Sequence, residues 1–133
     1  DHWYLVDWLP TEPTSWSDLN QHAISLGGHL VTILSAEENY FVINLMESLK
    51  ENYGWTGLSA EANTNNWQWV TGESVDFTSW GGSNCGAGPY PNDSENGFRF
   101  VLLNNRYMDC GWNWDDFDEG HPLNFPVIIE WSD

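Results

Sequence analysis

The chain has 133 residues, which fits one domain spanning 1–133 and is long enough to bury a hydrophobic core. Hydrophobic residues make up 41% of it and charged residues 17%, as is typical of a globular protein. Twenty acidic residues stand against Lys50, Arg99 and Arg106, giving a formal net charge of −17. This charge excludes nucleic acids and anionic membranes as partners and favours divalent cations.

Two features of the sequence concern the start of the chain and its cysteines. No apolar run approaches the roughly 20 residues of a transmembrane helix, and no signal peptide is recognisable, so we expect a mature terminus or a start inside a longer precursor. Cys85 and Cys110 lack the CxxC or Cys/His pattern of zinc and redox sites. We therefore favour a disulfide between them over two free thiols.

The first half of the chain predicts a strand and two helices. Trp3–Val6 is aromatic and β-branched, as in a strand. Ser15 and Asp18 have the spacing of a capping box, and the helix that they open ends at Gly27–Gly28. His29–Ile33 is extended. A second capping box, Ser35–Glu38, opens a helix that runs to about residue 50.

The second half is extended and contains a long loop. Residues 81–97 are rich in glycine, proline and asparagine without apolar periodicity, and such loops are usually functional or disordered. Four segments have strand character: Gly54–Leu58, Trp67–Val70, Phe98–Leu103 and Val127–Trp131. Because a strand and two helices precede this group of strands, we predict an α+β fold.

A series of motifs in this order resembles the C-type lectin-like domain family, most closely its cysteine-poor versions in bacterial secreted proteins. The motifs are Trp16 with Ala23, Gly27–Ile33, Ser35–Asn39, Gly54–Leu58, Trp67–Gly72, Pro91–Asp93, Trp114–Asp116 and Ile128–Trp131. The resemblance covers essentially the whole chain. It implies a double-loop fold in which the terminal strands pair, two helices flank antiparallel sheets, and a long loop carries the calcium and ligand site.

The cysteines depart from the family pattern. Leu26 and Ile129 stand where the usual disulfide ties the first helix to the last strand, so we expect hydrophobic packing in its place. A Cys85–Cys110 disulfide would instead tie the long loop to the segment before Trp112 and pre-organise the site.

The resemblance implies a calcium ion in the loop, held by Asn92, Asp115, Asp116 and a loop acid, Glu95 first and Asp93 second. Calcium takes six to eight oxygen ligands, so such a set leaves positions open for water or for the vicinal hydroxyls of a sugar. Two positions depart from the family. Tyr90 stands where sugar binders have Glu or Gln, and Phe98–Arg99 stands where an acid precedes the strand.

A second calcium site is suggested by analogy with some family members. Its ligands would be the backbone carbonyl of Val31 and the carboxylates of Glu37 and Glu130. The alternative is that Glu37 stabilises its helix dipole and Glu130 is a rim acid.

The resulting prediction is a calcium-dependent lectin module for carbohydrate of the mannose/fucose type, part of an adhesin at the cell surface. The predicted ligand contacts are Tyr90, Asn92, Glu95, Asp115, Asp116, Trp112, Trp80 and Tyr107. The alternatives are a protein- or peptide-binding domain and, with less support, an ice-binding domain. Since no nucleophile-elbow or other catalytic spacing is present, an enzyme is not expected.

Overall fold

The computed structural model describes residues 1–9, 15–61, 64–86, 88–92, 99–106, 109–118 and 124–132. Within these residues the chain forms two helices and seven strands. In chain order they are β1 (His2–Asp7), α1 (Trp16–Ser25), β2 (His29–Leu30), α2 (Ala36–Ser48), β3 (Tyr53–Ala60), β4 (Trp67–Trp69), β5 (Arg99–Asn104), β6 (Asn113–Asp118) and β7 (Val127–Ser132).

Both helices begin at the predicted cap serines, but only α1 forms the full capping box, since the Glu38 carboxylate of α2 accepts from the Leu34 amide instead. The Asp18 amide donates to Ser15 Oγ at 3.2 Å, and the Ser15 amide donates back to Asp18 Oδ2 at 3.1 Å. At the start of α2 the Glu38 amide donates to Ser35 Oγ at 3.1 Å. These bonds satisfy amides that lack a partner in the first turn of a helix, so the caps fix where each helix starts.

The strands form one sheet in the order β1-β7-β3-β5-β6, with β2 added on β7 and β4 on β3. β1 and β7 are antiparallel, with Trp3 opposite Trp131, so the two ends of the chain pair as the resemblance implied. β3 runs parallel to β7 at Trp55 and Val127 and antiparallel to β5. The architecture is α+β, as predicted.

The core consists of two clusters of buried side chains. One includes Val42 and Met46 of α2 together with Trp114 of β6. The other includes Leu19 of α1 and Trp55 of β3. Each helix therefore buries its apolar stripe against the sheet, which is where most of its stability comes from.

The contact between α1 and β7 differs from the expected packing. Ile129 is buried in the core, but Leu26 is 43% exposed. The connection near Leu26 is polar, since the Trp131 indole Nε1 donates to the Leu26 carbonyl at 3.0 Å. Hydrophobic packing at Leu26 does not replace a disulfide there. Neither described helix is long and apolar enough to span a membrane.

Candidate lectin site

The long loop is braced by the predicted disulfide. Cys85 and Cys110 are bonded, with their Cα atoms 5.3 Å apart. Beside the bond, Asn84 Nδ2 donates to the Asp109 carbonyl at 2.8 Å. The disulfide and this hydrogen bond hold the loop against the segment that leads to Trp112.

Tyr90 packs inside this braced loop. Its side chain is 7% exposed, and its amide donates to the Gly81 carbonyl at 2.8 Å. A Cβ atom on Gly81 would lie 2.7 Å from Tyr90 Cδ2 and 2.9 Å from Cys85 Sγ, so the close packing requires glycine. The peptide bond from Tyr90 to Pro91 is cis. This burial favours a packing role for Tyr90 over the predicted stacking on a sugar ring.

Asn92 is exposed at the end of this turn and is held by Asp116 of β6. The Asn92 amide donates to Asp116 Oδ1 at 2.8 Å. Asp116 itself is 3% exposed. A carboxylate that accepts from a backbone amide fixes the turn and leaves the Asn92 side chain at the surface.

The second oxygen of Asp116 faces Arg99, the residue found in place of the acid before the strand. Arg99 Nη1 lies 3.4 Å from Asp116 Oδ2, and Arg99 is 1% exposed. Arg99 Nη2 donates to Asn65 Oδ1 at 3.0 Å and also to the Thr64 carbonyl. The guanidinium carbon lies 4.8 Å from the centre of the Trp67 ring, within the range of a cation–π contact.

Asp115 is also buried and pairs with the other arginine. Asp115 Oδ2 lies 3.8 Å from Arg106 Nη2, and the Arg106 guanidinium stands 5.6 Å from the centre of the Phe117 ring. Because side chains alternate along a strand, Asp115 and Asp116 of β6 point to opposite faces of the sheet. Two of the four predicted calcium ligands thus diverge, and each has an arginine as its partner. The described residues do not fit one loop ion held by both carboxylates.

The remaining predicted contacts separate into three groups. Asp93, Glu95 and Tyr107 lie outside the described residues. Trp80 packs against Trp67 and Trp114 with ring centres 4.9 and 5.9 Å apart, so it borders the core. Trp112 is half-buried and immediately precedes β6.

Trp112 lines an open groove of about 540 Å³ beside α2. The groove combines aromatic rings with amide and carboxylate groups. None of its α2 residues was predicted from the sequence as a ligand contact. Its lining is Ala36, Asn39, Tyr40, Ile43, Asn44, Glu47, Phe77, Ser79 and Trp112. Tyr40 is 68% exposed, which is a large exposure for an aromatic side chain.

Glu130, predicted for the second ion site, is buried in a set of hydrogen bonds. Its Oε1 accepts from the amide and hydroxyl of Thr32 at 3.1 and 3.2 Å, and its Oε2 lies 2.5 Å from His2 Nδ1. Ligand atoms of His2, Glu38 and Glu130 lie within 4.8 Å of one another.

The acid of α2 beside Glu130 is therefore Glu38, and Glu37 is exposed. The Val31 carbonyl already accepts from the Gly57 amide at 2.9 Å. His2 and Glu38 were missed, although the predicted pairing of the terminal strands was a signal that residue 2 lies near Glu130.

Tyr4 completes this cluster. Its hydroxyl donates to Glu38 Oε2 at 2.7 Å. Burial, this hydrogen bond to Glu38 and the charge of Glu130 all raise the pKa of Tyr4 above its ordinary value. The phenol stays protonated and acts as a fixed donor between β1 and α2.

Residues 12–113 match the Lectin C-type domain family. A Perlucin-like protein of Mytilus galloprovincialis is 29% identical over 122 residues, which are 90% of this chain and 61% of that protein. One subunit of a Snaclec coagulation factor IX/factor X-binding protein of Protobothrops flavoviridis is 37% identical over 76 residues, 53% of this chain and 50% of that subunit. The chain thus spans about half to three fifths of these relatives. Both are animal proteins, so the likeness to bacterial versions is not supported.

Solved structures share the fold over nearly the whole chain. An SPL-1–GlcNAc complex is 28% identical with a TM-score of 0.75, covering 98% of this chain and 87% of that one. The C-type lectin CEL-I from Cucumaria echinata is 19% identical with a TM-score of 0.76, covering 99% and 91%. A calcium-independent type II antifreeze protein is 20% identical with a TM-score of 0.70, covering 98% and 86%. The last two show the fold alone.

The family match, the paired terminal strands and the shared fold lead to one conclusion. This chain belongs to the C-type lectin domain family, a family of carbohydrate-binding rather than catalytic domains.

Proposed function

We propose that this domain is a carbohydrate-binding module of an extracellular protein. The observation that carries the proposal is the likeness to the SPL-1–GlcNAc complex, at 28% identity over 98% of the chain. Family membership supports the same function. The disulfide supports an extracellular location, because disulfides persist in oxidising compartments.

The groove beside Trp112 supplies the chemistry that a sugar needs. The faces of Trp112 and Tyr40 can pack on the C–H side of a pyranose ring. Asn44 and Glu47 place an amide and a carboxylate on the same groove, where they can bond to hydroxyls. The disulfide brace connects the Trp112 segment to the turn that presents Asn92, so we propose Trp112 and Asn92 as ligand contacts on one braced unit.

The sugar class follows in part from these groups. Since the groove offers both amide and aromatic contacts, N-acetylglucosamine is the first ligand to test, with mannose and fucose beside it. The mannose/fucose preference and the adhesin role remain proposals from the sequence. Neither Trp112 nor Asn44 needs a metal ion to contact a sugar.

A glycan array probed with the labelled 133-residue chain tests the function. We expect binding to at least one of the three sugars, and a loss of about tenfold or more in Trp112→Ala. Trp8→Ala is the matched control, because Trp8 is exposed beyond the end of β1. Absence of binding to every glycan, or equal binding by Trp112→Ala and the wild-type chain, would contradict the proposal.

Protein binding is a second candidate, supported by a different surface. Trp3, Leu5 and Trp8 are large, exposed apolar side chains on or beside the edge strand β1. Such patches often mark interaction sites, and the Protobothrops relative is named as binding coagulation factors. A protein ligand whose capture is lost in Trp8→Ala and unaffected by free sugars would favour this candidate.

A further inference from the structure

We infer that the guanidinium of Arg99 takes the place of the loop calcium, so that the Asn92 turn is fixed by an internal cation and ligand binding is independent of calcium. The part that concerns ligand binding rests on the proposed function. The part that concerns the loop rests on the contacts of Arg99 and Asp116 alone.

The distribution of charge is the first argument. The chain has 20 acidic residues and two arginines, Arg99 and Arg106. Of the 14 acids whose side chains the structure describes, eight are exposed, yet both arginines lie beside Asp115 and Asp116, which are buried. A buried carboxylate is costly unless it is paired and hydrogen-bonded. The two arginines therefore supply the positive charge that an ion would otherwise supply.

The contacts of Arg99 are the second argument. Its guanidinium meets a carboxylate oxygen of Asp116, a side-chain amide oxygen of Asn65 and the backbone carbonyl of Thr64. Carboxylate, amide and carbonyl oxygens are the ligands that calcium collects. A guanidinium binds the same oxygens through N–H donors in a fixed plane. The Trp67 ring packs against this plane and helps to hold it.

Repulsion is the third argument. An ion bound to Asp116 would lie next to the guanidinium that faces Asp116 Oδ2, while Oδ1 accepts from the Asn92 amide. An arginine keeps its positive charge under all conditions in which proteins fold, so it cannot yield by losing a proton. Asp115 offers no alternative on the same side, because it points to the other face of β6 beside Arg106. Binding of calcium at Asp116 would require Arg99 to leave a site where it is 1% exposed.

The experiment compares thermal unfolding in calcium and in EDTA for the wild-type chain and three variants. We expect Asp116→Asn to show the same response to calcium as the wild type, since Asp116 holds no ion. Arg99→Gln removes the cation, so calcium should raise the unfolding temperature of this variant by about 3 °C or more. That gain should be lost again in the double variant Arg99→Gln/Asp116→Asn.

Either of two results would overturn the inference. In the first, calcium raises the unfolding temperature of the wild type and Asp116→Asn abolishes that increase. In the second, Arg99→Gln folds but calcium does not raise its unfolding temperature. If Arg99→Gln does not fold, Arg99→Lys keeps the charge and should respond as the wild type does. If calcium then raised the unfolding temperature of Arg99→Lys but not that of the wild type, the result would count against a cation held at this position.

The glycan array in EDTA tests the ligand part separately. Binding that is unchanged by EDTA and by added calcium is expected, and loss of binding in EDTA would overturn calcium independence. A chain that binds no glycan contradicts the proposed function but leaves the unfolding comparison valid, so the two failures are distinguishable.

Discussion

Asn92 and Asp116 are 24 residues apart in sequence and are joined by a hydrogen bond of 2.8 Å from the Asn92 amide to Asp116 Oδ1. The bond links the exposed end of the long loop to a buried position of β6. Because the other oxygen of Asp116 faces Arg99, one carboxylate holds both the loop and the start of β5. The shape of the loop therefore depends on Asp116.

Replacing Asp116 should be among the most destabilising changes in the chain. Asp116→Ala leaves Arg99 buried without its carboxylate, and removal of one partner of a buried ion pair costs about 3–5 kcal/mol. Asp116→Asn keeps an acceptor for the Asn92 amide and should cost less. Urea unfolding at neutral pH measures both, with Asp76→Ala at an exposed position as control. Equal stability of Asp116→Ala and Asp76→Ala would contradict the role given to Asp116.

The disulfide should stabilise the domain through the loop that it closes. Cys85 and Cys110 are 25 residues apart, a spacing for which chain entropy predicts about 3 kcal/mol. Cys85→Ser/Cys110→Ser should lose about this amount in urea unfolding, and reduction of the wild type should match it. The Trp112 segment should also lose its position, so glycan binding should fall more than stability alone explains. An unchanged urea midpoint in the double serine variant would exclude this contribution.

Glu37 and Glu38 are adjacent acids at the start of α2 and should behave differently. Glu38 accepts from the Tyr4 hydroxyl and from the Leu34 amide at 2.7 Å each, whereas Glu37 is exposed. Glu38→Gln should cost about 1–2 kcal/mol, because hydrogen bonds to a charged group are lost. Glu37→Gln is the matched control and should lie within about 0.5 kcal/mol of the wild type. The reverse order would favour the predicted ion site at Glu37.

Local patterns predicted the frame of this fold. Ser15 and Ser35 are followed at the right spacing by acidic residues, and a capping box acts within four residues of sequence. The terminal strands were predicted to pair through the family resemblance, and the disulfide followed from a chain with two cysteines. These features could be predicted because each depends either on the order of residues in the sequence or on a choice among few alternatives.

The ion pairs of the site depend on information that the sequence does not carry locally. Arg99 reaches Asp116 because β5 and β6 pair in a register that places Val101 opposite Asp116. A shift of that register by one residue would turn Asp116 to the other face of the sheet. Tyr90 in turn is buried by Gly81 and the disulfide, so its exposure could not be deduced from the Tyr-Pro-Asn turn alone.

Tyr4 should make stability depend on alkaline pH. Its pKa is raised in the folded chain above the ordinary value of 10.0, so the folded state holds the phenol proton more tightly than the unfolded state does. The stability that comes from this proton is fully present below about pH 10 and is lost as the pH rises above it. Tyr4→Phe removes the proton and should flatten the decline.

The measurement is urea unfolding at pH 7 and at intervals from about pH 9 to 11, the range around the ordinary tyrosine pKa. At pH 7, Tyr4→Phe should be less stable by about 1 kcal/mol, because Glu38 loses the hydroxyl donor. Tyr40→Phe is the matched control, since Tyr40 is exposed on α2. We expect the wild type and Tyr40→Phe to lose stability together above about pH 10 while Tyr4→Phe declines less. Superimposable curves for the two phenylalanine variants would show that Tyr4 is not the group responsible.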